Sequence, residues 1–204
     1  MSRTAAETRS HVLGVAGELF YRKGIRATGV DRVAAAAGIA PTTLYRLFPS
    51  KDEMIGAYVE RADQDVRDMV KAAVTAAAPD PRDQILAIFD AVFNEIESGQ
   101  FRGCAMMMTL AEFPDPDLPA HRNAIEGKTW LRNTLGELTD RLGLDDPTVP
   151  AELADQLSLA LEGLLATGQA LGPAGPAKQA RRLAEAILSS EKIPNSTEPR
   201  RRPE

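Results

Sequence analysis

The sequence predicts an all-α protein of about nine helices. Alanine, the residue with the highest helix propensity, occurs 32 times in 204 residues. Apolar residues recur with the 3.6-residue period of amphipathic helices, and few stretches alternate between apolar and polar residues as a half-buried strand would. Hydrophobic residues make up 44% of the chain and charged residues 26%, a balance typical of a globular protein with a packed core.

Capping signals and helix breakers divide the chain into its elements. Serine or threonine followed three residues later by an acidic residue is interpreted as a capping box, which satisfies free N–H groups at a helix start. Glycine and proline mark the helix ends. The three capping boxes are Thr4-x-x-Glu7, Thr28-x-x-Asp31 and Ser50-x-x-Glu53. The predicted helices cover about 5–23, 28–38, 41–48, 51–78, 81–98, 103–112, 119–142, 151–171 and 177–190.

The net charge of -5 conceals an asymmetry along the chain. Residues 1–51 hold eight Lys/Arg and three Asp/Glu, a net +5, whereas residues 52–204 hold sixteen and twenty-six, a net -10. A basic head indicates a surface for a polyanion, unless its charges cluster by chance on a solvated face. We expect a helix-turn-helix domain at 1–50, a helical ligand-binding and dimerisation domain at 51–190, and a disordered tail at 191–204.

Residues 28–48 have the pattern of a helix-turn-helix motif. Ala34 is small enough for two helix backbones to approach, and Gly38 tolerates the positive φ of a tight corner. An ordinary helical hairpin is the alternative interpretation. The helix that follows the corner carries hydroxyl groups and a guanidinium, which suit the base edges and phosphates of a major groove. That exposed face is formed by Thr42, Thr43 and Arg46, with Tyr45 along its edge.

Four motifs follow one another between residues 9 and 60. They are Ala16-x-x-Leu19-Phe20, Gly24-Ile25-x-Ala27-Thr28, Val33-Ala34-x-x-Ala37-Gly38-Ile39 and Thr43-Leu44-Tyr45-Arg46-Leu47-Phe48-x-Ser50-Lys51-Asp52-Glu53-Met54. Their order and spacing resemble the DNA-binding region of the TetR family of bacterial transcriptional regulators. The resemblance implies that helices four to seven surround a cavity and that helices eight and nine form a dimer interface. Ala40 departs from the family pattern, which often has Ser or Thr there.

The same resemblance implies a role in DNA binding for seven residues. Some would approach base edges or a thymine methyl group, and others would hold phosphates together with backbone N–H groups near residues 29 and 51. A helix cap is the alternative role for Thr28, and half-buried packing is the alternative for Tyr45. The residues expected at bases are Pro41, Thr42, Thr43 and Arg46, and those expected at phosphates are Thr28, Tyr45 and Lys51.

The last two helices carry apolar stripes that predict a dimer interface. Small residues lie among the leucines of the eighth helix, and two such helices from each of two chains would form a four-helix interface. A core within one chain is the alternative from periodicity alone, and the resemblance favours the dimer. The stripe residues are Leu153, Leu157, Leu161 and Leu164 in the eighth helix and Leu183 and Ile187 in the ninth.

The middle of the chain is rich in aromatic residues and methionine. Methionine adapts to varied apolar shapes, so these residues are candidates for lining a cavity for a small hydrophobic effector. Simple core packing is the alternative for each of them. The candidate ligand-binding residues are Phe89, Phe93, Met106, Met107, Leu110 and Trp130.

The sequence offers little for catalysis, cofactors or metals. The G-x-S-x-G, H-E-x-x-H, G-x-G-x-x-G and Walker motifs are all absent from it. Glu112, Asp115, Asp117 and His121 are interpreted as part of a turn before a helix rather than as metal ligands. We expect no enzyme activity, no cofactor and no metal. No run of about 18 apolar residues and no signal peptide is present, so we expect a cytoplasmic protein without a membrane partner.

These observations predict a ligand-responsive transcriptional repressor. It would bind a palindromic operator in double-stranded DNA as a homodimer and be released by a small hydrophobic effector. An all-helical interaction module or small-ligand carrier without DNA binding is the alternative hypothesis. An unrecognised helical enzyme is a third.

Overall fold

The computed structural model describes residues 4–190, and this range forms nine α-helices joined by loops and turns. The predicted all-α class is confirmed. The predicted tail at 191–204 lies outside the described residues. The helices are α1 (Ala5–Lys23), α2 (Val30–Ala37), α3 (Pro41–Leu47), α4 (Lys51–Ala76), α5 (Pro81–Glu97), α6 (Ala105–Glu112), α7 (Pro119–Asp140), α8 (Val149–Leu171) and α9 (Ala180–Ser190), and a 3-10 turn at Pro176–Gln179 leads into α9.

The capping box predicted at Thr4 is present with both of its bonds, and the side chain predicted to cap the start of α4, Ser50, accepts one N–H bond. The N–H of Glu7 donates to Thr4 Oγ1 over 3.2 Å, and the N–H of Thr4 donates to Glu7 Oε2 over 2.7 Å. The N–H of Glu53 donates to Ser50 Oγ over 3.1 Å at the start of α4. These short-range bonds satisfy N–H groups that have no partner within the helix, so both starts are fixed by local sequence.

The capping box predicted at Thr28 is wrong. The residue before α2 is Gly29, and no side chain caps that helix. Thr28 is buried, and its Oγ1 donates backwards to the Gly24 carbonyl over 2.8 Å. A threonine hydroxyl commonly bonds to the carbonyl four residues earlier, and here that carbonyl lies just beyond the end of α1.

The described chain forms two compact units. The first comprises the residues up to Arg67 together with Arg102–Lys128, and therefore contains α1 to α3, α6 and the first parts of α4 and α7. Its core is apolar and continuous, and its largest fully buried side chains are Phe20, Ile25, Leu44, Phe48, Met54 and Ile55. The functional boundary predicted at residue 50 stays a prediction.

The second unit contains α5, α8, α9 and the later parts of α4 and α7. The α5, α8 and α9 helices pack against one another. A Cβ atom at Gly168 on α8 would lie 2.5 Å from Ile96 Cδ1 on α5, so the glycine permits this close approach. Arg82 Nη1 donates to the Leu188 carbonyl over 3.2 Å and Nη2 donates to Ser189 Oγ over 2.7 Å, so a cation meets the carboxyl end of α9.

Between residues 4 and 190, no helix is both long enough and apolar enough to cross a membrane.

Candidate DNA-binding site

The helix-turn-helix corner is built by Gly38. Its φ of +68° and ψ of 34° lie in the left-handed region, which glycine adopts without the steric cost of a Cβ atom. The N–H of Ile39 then donates to the Ala34 carbonyl over 3.0 Å, which closes the end of α2. This arrangement turns the chain directly from α2 into α3, as the positions of Ala34 and Gly38 predict.

The inner face of α3 is anchored in the core of the first unit. Leu44 and Phe48 are buried, and the Arg9 guanidinium lies over the Phe48 ring at 4.7 Å from its centroid. The α2 helix is held from behind by α1, since His11 Nε2 lies 3.2 Å from the Ala37 carbonyl oxygen. These contacts fix which side of α3 faces outward.

The outer face of α3 carries the residues that the sequence placed there. Pro41, Thr42 and Arg46 are exposed, Thr43 is half-buried, and the side chain of Tyr45 is 48% exposed. The helix begins at Pro41, and its N-cap residue, Ala40, makes no side-chain capping bond. The face therefore presents two hydroxyl groups, a phenol and a guanidinium, which are donors and acceptors suited to base edges and phosphates.

Lys51 is the first residue of α4 and lies half-buried beside the α1–α2 turn. Its Nζ donates to the Arg26 carbonyl over 3.4 Å. This contact ties the first residue of α4 to the α1–α2 turn. A phosphate-binding role for Lys51 stays a prediction.

Thr28 is not part of the exposed surface of the candidate site. Its side chain is 0% exposed, and its hydroxyl is committed to the Gly24 carbonyl. Burial therefore removes it from the reach of a phosphate, and its role is to tie the α1–α2 turn together.

The candidate effector residues fall into both compact units. Phe89 is buried and Phe93 and Trp130 are half-buried within the second unit. Met106 belongs to the core of the first unit and Leu110 packs against that core, whereas Met107 is 49% exposed. Core packing, the alternative interpretation, thus accounts for Met106. The effector site stays a prediction.

The leucine stripe of α8 lies inside one protomer. Leu153, Leu157, Leu161 and Leu164 are all buried, so these side chains have no surface left for a partner. This burial corresponds to the alternative interpretation, a core within one chain. On the helices proposed for dimerisation, Leu159 is 73% exposed on α8, Leu183 is 50% exposed on α9, and Ile187 is half-buried. The dimer itself stays a prediction.

A polar cluster at the α1–α2 turn was not predicted from the sequence. The Glu112 carboxylate accepts the N–H groups of Ile25 and Arg26, and His121 Nδ1 lies 2.9 Å from the Phe113 carbonyl oxygen. Glu112 and His121 thus contact the protein itself. Among the described residues, no group of three or more His, Cys, Asp or Glu side chains is arranged to hold a metal ion.

Comparison with known proteins identifies the family. Residues 12–58 match the family model of bacterial regulatory proteins of the tetR family. The chain is 27% identical over 180 residues to the HTH-type transcriptional regulator YjdC of Escherichia coli (strain K12), covering 88% of this chain and 93% of that protein. It is 28% identical to the HTH-type transcriptional repressor KstR2 of Mycolicibacterium smegmatis, covering 62% of each chain. The crystal structure of SCO4454, a TetR-family transcriptional regulator from Streptomyces coelicolor, superposes with a TM-score of 0.85 at 32% identity, over 91% of this chain and 96% of that chain. The chain therefore belongs to the TetR family of bacterial transcriptional regulators.

Proposed function

We propose that this TetR-family regulator is a repressor that binds a palindromic operator as a homodimer and is released by a small hydrophobic effector. The observation that carries the proposal is the outer face of α3. It presents Thr42, Tyr45 and Arg46 from a helix whose inner face is anchored by Leu44. A rigidly held helix with such a face is what major-groove recognition requires. Repression rather than activation is proposed because the chain is similar to KstR2, which is named a repressor.

The homodimer is supported by the apolar surface of the last two helices. Leu159 on α8 and Leu183 on α9 are large, apolar and at least half exposed. Gly163 and Ala166 follow Leu159 at helical spacings of four and seven residues and are also exposed, so they extend one face of α8. A second copy of this chain would cover that face, and two heads would then meet two half-sites of a palindrome.

The effector is supported by the aromatic residues of the second unit. Phe93 and Trp130 are half-buried there, and Phe89 of the same unit is buried. The α4 helix runs unbroken from Lys51 to Ala76, so it contributes to both compact units. An effector that favours one position of this helix would change operator affinity by its differential affinity for the two states, typically about 1–3 kcal/mol.

DNA binding is tested by selecting preferred duplexes from a randomised pool and measuring affinity at several salt concentrations. We expect a palindromic consensus and an affinity that falls steeply with salt, because cationic side chains displace counterions from phosphates. Lys51→Ala should weaken binding to all sequences alike and reduce the salt slope by about 1. The carrier hypothesis instead predicts no duplex affinity and no salt slope.

The effector proposal has a reciprocal test. Trp130 is the only tryptophan of the chain, so its fluorescence reports on the second unit. We expect the hydrophobic probe 1-anilinonaphthalene-8-sulfonate to quench it, and bound operator to weaken the probe's affinity by the factor with which the probe weakens operator binding. Equal probe affinity with and without operator would refute the coupling.

A further inference from the structure

The carboxylate of Glu112 is turned towards the backbone at the end of α1. Its Oε1 accepts the N–H of Ile25 over 3.1 Å, and its Oε2 accepts the N–H of Arg26 over 2.7 Å. These two residues follow Gly24, whose φ of +92° ends the helix. A carboxylate that accepts two backbone N–H groups makes charge-assisted hydrogen bonds, which are stronger than those between neutral groups.

The side chain of Arg26 in turn contacts the carboxyl end of α6. Its Nε donates to the Glu112 carbonyl over 2.8 Å, and its guanidinium lies over the Phe113 ring at 5.0 Å from the centroid. A cation at the carboxyl end of a helix is favourable, whereas the negative side chain of Glu112 at the end of its own helix is not. A glutamate at this position therefore does not stabilise α6 itself. Its hydrogen bonds to the α1–α2 turn explain its presence.

A tyrosine ties the start of α6 to α1 as well. The hydroxyl of Tyr21 donates to the Gly103 carbonyl over 3.0 Å and accepts the N–H of Arg102 over 2.7 Å. Glu112 and Tyr21 thus attach both ends of the segment from Arg102 to Glu112 to the end of α1. The turn is held by residues that lie more than eighty positions further along the chain.

The turn is also in contact with the candidate DNA-binding site. The carbonyl of Arg26, whose N–H is held by Glu112, accepts the Lys51 ammonium over 3.4 Å. A displacement of this backbone would therefore move the group that orients Lys51. Gly29, the residue before α2, lies only three residues further on.

We propose that Glu112 is a positioning residue for operator binding. Its carboxylate fixes the backbone of Ile25 and Arg26 and, through the Arg26 carbonyl, orients the Lys51 ammonium towards a phosphate. This inference rests on the proposed DNA-binding function. The Glu112 carboxylate acts through these contacts and is not proposed to touch DNA itself.

Whether Glu112→Gln raises or lowers operator affinity distinguishes a positioning role from a general electrostatic effect. Removing a negative charge from a DNA-binding protein strengthens binding when only long-range electrostatics acts. Glu112→Gln is expected to do the opposite and weaken binding to the selected duplex by about tenfold, because the glutamine amide offers its NH2 group to one of the two N–H donors. Glu126→Gln is the matched control, because Glu126 is a mostly exposed glutamate on α7 in the same compact unit, 3.9 Å from Arg67. The control should bind as tightly as wild type or slightly more tightly.

A double-mutant cycle tests the route through Lys51. Operator affinity is measured for full-length wild type, Glu112→Gln, Lys51→Ala and the double variant, each corrected for its folded fraction. In the Lys51→Ala background the effect of Glu112→Gln should shrink to less than about twofold, because the residue being positioned is gone. Amide exchange at Ile25 and Arg26 should also accelerate in Glu112→Gln without DNA.

Three outcomes would overturn the inference. They are wild-type operator affinity in Glu112→Gln, the same loss of affinity with and without Lys51, and unchanged amide exchange at Ile25 and Arg26. A wild-type chain that binds no duplex would instead refute the proposed function, and amide exchange would then show separately whether Glu112 holds the turn.

Discussion

Replacing Gly168 by alanine would place a methyl group against the side chain of Ile96. The added Cβ would lie 2.5 Å from Ile96 Cδ1, 2.9 Å from Cγ1 and 3.1 Å from Cγ2. The first two distances are shorter than any normal contact, and all three atoms belong to one β-branched side chain. Ile96 must therefore move as a whole, or α8 must shift away from α5.

Two opposing effects determine how much Gly168→Ala changes the free energy of unfolding. Glycine to alanine within a helix stabilises by about 1 kcal/mol through helix propensity, whereas overpacking a core costs about 1–3 kcal/mol. Gly136 on α7 isolates the first effect, because a Cβ atom there meets nothing within 4 Å. Gly136→Ala should therefore raise the free energy of unfolding by about 1 kcal/mol. The free energy of unfolding of Gly168→Ala should be about 1–3 kcal/mol lower than that of Gly136→Ala.

Urea unfolding followed by circular dichroism at 222 nm measures both variants at one protein concentration. Ile96→Val removes the Cδ1 atom and should cost about 0.5–1.5 kcal/mol in wild type. In the Gly168→Ala background the same change should cost less or restore stability. If Gly168→Ala is as stabilising as Gly136→Ala, then this face of α8 does not pack on α5, and the assignment of its leucines to the protomer core fails.

The remaining predictions follow from the burial or exposure of single side chains. Thr28→Val should lower the free energy of unfolding by about 1–2 kcal/mol in urea titrations, because the Gly24 carbonyl loses the hydroxyl that donates to it. The Tyr58 hydroxyl is buried without a hydrogen-bond partner, so Tyr58→Phe should leave the urea midpoint unchanged or raise it. Burial also raises the pKa of Tyr58 above its ordinary value, so wild type should lose stability above about pH 10 relative to Tyr58→Phe. In sedimentation, Leu159→Asp should give folded monomers, whereas Leu161→Asp, which buries a charge within the protomer, should give unfolded chain.

Local signals account for most of what the sequence predicted. Helix starts at Ala5 and Lys51 are set by side chains three residues apart, and the corner at Gly38 needs only one residue with a positive φ. The outer face of α3 follows from that corner. Leu44 and Arg46 lie on opposite sides of this seven-residue helix, so burying Leu44 exposes Arg46. The same local rule failed at Thr28, where forward capping and backward bonding compete and only the three-dimensional structure decides.

Long-range packing accounts for what the sequence missed. The α8 helix has apolar residues on more than one face, among them the buried Leu161 and the exposed Leu159. Periodicity alone does not separate a core within one chain from an interface between two, because both bury apolar residues. The contacts of Glu112 with Ile25 and Arg26 join residues 87 and 86 positions apart. A glutamate at the carboxyl end of α6 was the only local sign that an unusual contact exists.

The α3 helix is proposed to read the DNA sequence through its outer face. The measurement that tests it most directly is the ratio of affinities for the selected operator and a non-specific duplex at one salt concentration, in wild type and Arg46→Ala. Arg132→Ala is the control, because it removes the same charge from α7 in the second unit. We expect Arg46→Ala to lose about 1–3 kcal/mol of discrimination at particular base pairs, while Arg132→Ala retains the wild-type ratio. An unchanged ratio in Arg46→Ala would contradict the assignment of α3 as the recognition helix.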